Sequence, residues 1–151
     1  MSQVAERILN LDNVSKEYTK GGQTVLALSP ISLTLGPGEF VAVQGPSGCG
    51  KTTLLLASGG LLQPDGGTVE VQGADFYALT PEARARHRAR NIGFVFQQFH
   101  LIPYLTVLEN VLAPATAIDI EGAEAKARDL LRVFGLADRA NHLPGELSTG
   151  E

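Results

Sequence analysis

The chain has 151 residues, of which 44% are hydrophobic and 19% charged, and its formal net charge is −4. That composition can build a core and excludes a disordered chain, while the acidic balance gives no global attraction to nucleic acid or anionic lipid. The single cysteine, Cys49, cannot staple the fold, which fits a reducing compartment, and no stretch approaches the roughly 18 unbroken apolar residues of a membrane helix.

Met1 to Asn10 carries Glu6 and Arg7 and has no apolar segment, so it does not read as a secretory signal. Ile8 to Tyr18 alternates loosely and predicts a strand. Lys20-Gly21-Gly22-Gln23 is a turn, and Thr24 to Leu28 begins a second strand. Ile31 to Leu35 alternates apolar and polar residues, as a half-buried strand does. Phe40 to Val43 is a short unbroken apolar run, expected to be a central strand buried on both faces.

After Lys51 the pattern turns helical through Leu54, Leu55, Leu56 and Ala57, and Gly59-Gly60 offers a stop. Pro64 to Gly67 predicts a turn, followed by a strand from Thr68 to Gln72. Thr80-Pro81 reads as a helix start, with Thr80 as cap, and that helix runs to about Arg90. Ile92 to Phe96 predicts a second central strand. Thr106 to Leu112 and Ala123 to Phe134 predict helices, the latter ended by Gly135. The expected fold class is α/β: a small antiparallel flank and a partly parallel core sheet covered by helices.

The chemistry is concentrated in Gly45-Pro46-Ser47-Gly48-Cys49-Gly50-Lys51-Thr52, which satisfies G-x-x-x-x-G-K-[ST] at every fixed position. An apolar strand precedes it and a leucine-rich helix follows. Glycines let the backbone curl so that successive N–H groups point at phosphate oxygens, and the helix adds its positive end. Lys51 supplies a point charge for the β- and γ-phosphates, and the Thr52 hydroxyl is a hard oxygen ligand for Mg²⁺. The motif alone does not separate transporters from kinases, GTPases or helicases.

Two further segments narrow the choice. Ile92-Gly93-Phe94-Val95-Phe96-Gln97-Gln98, with Leu105 to Val111 behind it, resembles the Q-loop region of ABC transporter ATPases. Leu147-Ser148-Thr149-Gly150-Glu151 resembles their LSGGQ signature. Order and spacing match from about Ile8 to the last residue, and the wording is similar to that of the lipoprotein-release and macrolide-export type.

The resemblance implies a P-loop NTPase of the ABC type that uses ATP and Mg²⁺. It implies stacking of adenine on Tyr18, and nucleotide contacts from Val25, Gly45, Pro46, Ser47, Gly48, Cys49, Gly50, Lys51, Thr52 and Thr53. Lys51 and Gln97 are the implied catalytic residues, and Thr52 and Gln97 the implied metal contacts. Ser148, Thr149 and Gly150 would meet the γ-phosphate held by a second ATPase subunit. The other implied partners are transmembrane permease subunits, with the chain on the cytoplasmic face of the inner membrane and no nucleic acid involved.

Two positions depart from the family's usual signature. Thr149 stands where Gly is usual and adds a Cβ, and Glu151 stands where Gln is usual and adds a negative charge near a phosphate. The family's second magnesium-site aspartate, the catalytic glutamate beside it and the later switch histidine do not occur in these residues; His87, His100 and His142 all precede the signature. The expectation is therefore a partial ATPase domain over residues 1–151, C-terminally incomplete and inactive on its own. A non-catalytic ATP-binding module, or another P-loop enzyme such as a small-molecule kinase, stays open beside it. Arg84, Arg86, Arg88 and Arg90 divide between two helix faces and read as a solvated surface rather than a nucleic-acid stripe. Only the backbone of Cys49 is needed in the loop, so thiol catalysis is not expected.

Overall fold

The computed structural model describes residues 7–151; Met1 to Glu6, part of the stretch read as lacking a secretory signal, lie outside the described residues. The chain divides into two compact units, Met1–Ile92 and Gly93–Glu151.

The first unit is built on an antiparallel sheet. Strand β1 (Leu9–Lys20) turns through Gly21 and Gly22 into β2 (Gln23–Leu35). Both glycines have positive φ, 59° and 79°, the geometry of a two-residue hairpin turn whose twist matches that of the strands. β1 pairs on its other edge with β3 (Gly66–Val71), and β3 with the short β4 (Ala74–Asp75), giving the order β2-β1-β3-β4. The separate strands expected at Thr24 to Leu28 and Ile31 to Leu35 are one strand, interrupted by register shifts rather than by a turn.

Helix α1 (Lys51–Ser58) packs on this sheet through Leu54 and Ala57, both buried, and the core is completed by Leu11, Val14, Leu28, Val69, Val71 and Phe76. Helix α2 (Pro81–Asn91) starts as the sequence predicts: Thr80 accepts the Ala83 N–H at 3.3 Å, and Pro81 takes the first position, where an N–H is not needed. No residue of α2 is fully buried, and polar contacts hold it instead. His87 Nε2 lies 2.9 Å from Val71 O, and its ring meets Phe76 edge-on at 5.4 Å. Arg88 donates to Gly60 O at 3.1 Å, and the Arg84 guanidinium lies 5.1 Å from the Tyr77 ring centre. Arg86 and Arg90 are exposed. The arginine helix therefore has a working face and a solvated one, where the sequence reading had two solvated faces.

Two expectations fail. Phe40 to Val43 and Ile92 to Phe96 form no ladder, and every pairing among the described residues is antiparallel, so the parallel part of the core sheet is not formed there. A strand exists only through its neighbours, and no strand lies alongside either run among residues 7–151. Phe40 is 92% exposed and Val95 fully so.

The second unit is helical. Helix α3 (Val107–Leu112) opens on a reciprocal cap in which Glu109 N–H donates to Thr106 Oγ1 at 3.2 Å and Thr106 N–H to the Glu109 carboxylate at 2.7 Å. Helix α4 (Ala123–Val133) is capped by Phe134 and followed by Gly135, φ 71°. Val107, Leu108, Ala127, Leu131 and Ala140 form the core of this unit. Asn110 ties the preceding loop to α3: its side-chain oxygen accepts Ile102 N–H at 2.8 Å, and its amide N–H groups face the carbonyls of Ile102, Leu105 and Thr106.

Candidate functional site

The loop expected to bind phosphate runs from Gly45 to the first turn of α1. Gly50 caps the helix at φ 93°, a left-handed conformation, and a Cβ there would lie 2.4 Å from Ala27 O. Gly45, at φ 155°, approaches the Cys49 side chain so closely that a Cβ would meet Sγ at 2.7 Å. At Gly50 the left-handed φ and the Ala27 carbonyl together require glycine, whereas at Gly45 the neighbour is the end of the Cys49 side chain, which can turn aside.

The loop borders a recess of about 320 Å³ lined by Ala27, Ser47, Gly48, Gly50, Lys51, Thr52 and Thr53. Lys51 turns its ammonium onto the loop, donating to Gly45 O at 2.8 Å and Pro46 O at 2.7 Å. A cation, the amides of a helix start and a glycine-rich backbone make a chemical fit to a polyphosphate. Thr52 is exposed beside Lys51 and can offer a hydroxyl oxygen to a hard cation. Cys49 Sγ lies 3.7 Å from the Lys51 ammonium.

Tyr18 and Val25 are cross-strand partners on β1 and β2, 46% and 57% exposed. Val25 lies two residues before Ala27, a wall of the recess. Lys16 Nζ, 5.5 Å from the Tyr18 ring centre, is held by Asp65 at 2.9 Å. The Lys16 contact and the Glu17 N–H that Asp65 accepts were invisible as pairs in the sequence, because Asp65 is 48 and 49 residues away.

The second unit carries the other candidates. Gln97 is exposed in the stretch after Ile92, beside a stacked pair, Phe94 and Phe96, with ring centres 5.2 Å apart. Ser148, Thr149 and Gly150 line a recess of about 310 Å³ with Phe99, Leu101, Pro144, Leu147 and Glu151. Glu151 is fully engaged: its carboxylate accepts Ser148 N–H at 2.9 Å, Ser148 Oγ–H at 2.7 Å and Arg139 Nε–H at 3.0 Å. The Ser148 amide, then its hydroxyl and then Arg139 hold this carboxyl down at about 2. Arg139 was missed in the sequence reading. The spacing S-x-x-E at Ser148 and Glu151 was a signal that could have been read, since it is the pattern of a reciprocal helix cap.

The profile of the family described as ABC transporter matches residues 28–151. The lipoprotein-releasing system ATP-binding protein LolD 1 of Rhodopirellula baltica is 44% identical over 146 residues, which is 95% of this chain and 64% of that protein. The macrolide export ATP-binding/permease protein MacB of Salmonella paratyphi A is 43% identical, over 95% of this chain and 22% of its own length. The ATP-binding cassette MJ0796, solved as a dimer in a post-hydrolysis state bound to ADP and Pi, superposes with a TM-score of 0.83 at 39% identity, covering 93% of this chain and 63% of that one. A second dimeric structure of MJ0796, described as a bacterial ABC transporter cassette, gives a TM-score of 0.84 with the same identity and coverage.

Proposed function

Because the chain belongs to the ABC transporter family, we propose that it binds ATP through Gly45 to Thr52 and serves as an ATP-binding subunit coupling ATP binding and hydrolysis to export or membrane extraction of a substrate. The observation that carries the reading is the glycine-framed recess at the start of α1 with Lys51 folded over it. The relatives named for lipoprotein release and macrolide export support the subgroup.

In this reading Lys51 neutralises phosphate charge, the loop amides orient the triphosphate, and Tyr18 with Val25 holds the base. Thr52 would offer its hydroxyl oxygen to Mg²⁺, which when bound neutralises the phosphate oxygens. Ser148 to Gly150 would meet the nucleotide of a second ATPase subunit; the dimeric form of MJ0796 supports that arrangement. Among the described residues no helix is long and apolar enough to cross a membrane. Transmembrane permease partners and a position on the cytoplasmic face of the inner membrane belong to the same proposal.

The test is calorimetry of Lys51→Ala with ATP and with adenosine. The substitution should weaken ATP binding severely and leave adenosine binding nearly unchanged, because it removes charge only from the phosphate end. Unchanged ATP affinity would overturn the assignment. ATP-dependent self-association separates this reading from that of a small-molecule kinase, which does not require it.

A further inference from the structure

The acidic residue of the signature turn stands where it would repel a phosphate, and its surroundings say how that repulsion is handled. Both Ser148 donors, the amide and the hydroxyl, point at one Glu151 oxygen, while Arg139 binds the other. Glu151 N–H in turn donates to Ser148 O at 3.0 Å, closing the turn. Arg139 is itself fixed: it ends a short helical turn, Ala137–Arg139, that follows α4, with its N–H bonded to Leu136 O at 3.0 Å and its carbonyl accepting His142 N–H at 2.9 Å.

We propose that Arg139 is a positioning residue that makes an acidic signature compatible with a nucleotide phosphate: it neutralises Glu151 and so frees the Ser148 hydroxyl to donate to that phosphate. The proposal rests on the reading above, in which Ser148 meets a nucleotide held by a second subunit.

The chemistry is as follows. With its proton directed at Glu151, the Ser148 oxygen offers only lone pairs outward, and phosphate oxygens are acceptors too. The hydroxyl must rotate off the carboxylate before it can serve. A carboxylate shared with a guanidinium is a weaker acceptor and a weaker source of repulsion than a bare one. Without Arg139, Glu151 would retain the hydroxyl and stand as an uncompensated anion beside the incoming phosphate. With Gln in place of Glu151, no anion exists and Arg139 has nothing to neutralise.

The experiment is a double-mutant cycle in the intact chain, read as the ATP concentration at half-maximal self-association. Arg139→Gln should raise that midpoint about ten-fold when Glu151 is present and no more than about two-fold in an E151Q background. Arg139→Lys should recover most of the loss, since it restores the charge. Equal losses in the two backgrounds would mean that Arg139 merely supports the fold, and would overturn the proposal. Should Arg139→Gln unfold, the same comparison is made with Arg139→Met, which keeps the aliphatic stem and removes the charge; the same contrast between the two backgrounds is expected, and equal losses overturn the proposal. Ser148→Ala separates the two levels. If it leaves ATP-driven self-association intact, the reading of the signature fails, whatever Arg139 does.

Discussion

Tyr18 and Val25 face each other across the β1–β2 ladder with about half of each side chain in solvent. An exposed aromatic opposite a β-branched residue is a flat apolar platform, held in register by backbone bonds on both sides. Tyr18→Ala should weaken ATP binding by about 1–3 kcal/mol, the worth of one base stacked on an aromatic ring. Tyr18→Phe should retain the affinity, because a ring face and not a hydroxyl is used. Equal affinities for the Ala and Phe variants in a titration would reduce Tyr18 to a surface residue.

Gly50 and Gly48 both have positive φ, 93° and 82°, but only Gly50 is crowded. Alanine at Gly48 meets no heavy atom within 4 Å and should lose only the backbone term, about 1–2 kcal/mol. Alanine at Gly50 adds a clash with Ala27 O to the same term, so it should lose more and distort the loop. Urea unfolding of the pair checks the order, and a Gly48→Ala variant less stable than Gly50→Ala contradicts it.

Tyr77 anchors the rear of α1, its hydroxyl lying 2.5 Å from Leu62 O and 2.8 Å from Ala57 O. Burial pushes its pKa up to about 12, against the pull of Arg84 and Arg88. A raised folded value means that this contribution is complete below pH 10, the ordinary tyrosine value, and is lost as pH rises through about 12. Tyr77→Phe should cost about 1–2 kcal/mol at neutral pH and flatten that alkaline decline. Thermal melts between pH 8 and 12 decide it; a decline of the same size in the Phe variant would remove Tyr77 as its source.

Glu109 acts in the opposite direction. The Thr106 N–H, and then the Thr106 hydroxyl, lower its pKa from 4.5. A lowered folded value gives stability that is present above pH 4.5 and lost as pH falls through the folded value. Glu109→Gln should therefore weaken the acid dependence of helicity in the second unit, and Thr106→Ala should cost about 1 kcal/mol through the lost cap. Circular dichroism across an acid titration reads both, and an unchanged acid midpoint in Glu109→Gln counts against the cap.

The features legible in the sequence are those that depend on neighbours along the chain. Thr80 caps α2, Gly135 follows α4, Gly21 and Gly22 turn the hairpin, and the loop–helix order around Lys51 is carried by consecutive residues. The missed features depend on partners far away. Arg88 reaches Gly60 across 28 positions, and Asp65 reaches Lys16 across 49. Phe40 to Val43 carries the apolar run of a central strand, yet a ladder needs a second strand at about 5 Å, and no periodicity reports whether one is there. In the signature turn the charge of Glu151 was readable, but its guanidinium partner was not.

The contact between Gly60 and Phe76 has a mechanical consequence. A Cβ on Gly60 would lie 1.8 Å from the Phe76 ring, so the ring is seated against bare backbone just behind α1. Arg88 on Gly60 O and Tyr77 on Ala57 O and Leu62 O grip the same end. Helix α1 is thus a beam clamped at its rear and loaded at its tip. In the proposed function, a phosphate bound at Gly45 to Thr52 would order the exposed loop in front and leave the clamped end as it is. Amide exchange in α1 should therefore be slowest around Ala57 and fastest at the loop end, and ATP should slow the loop end alone.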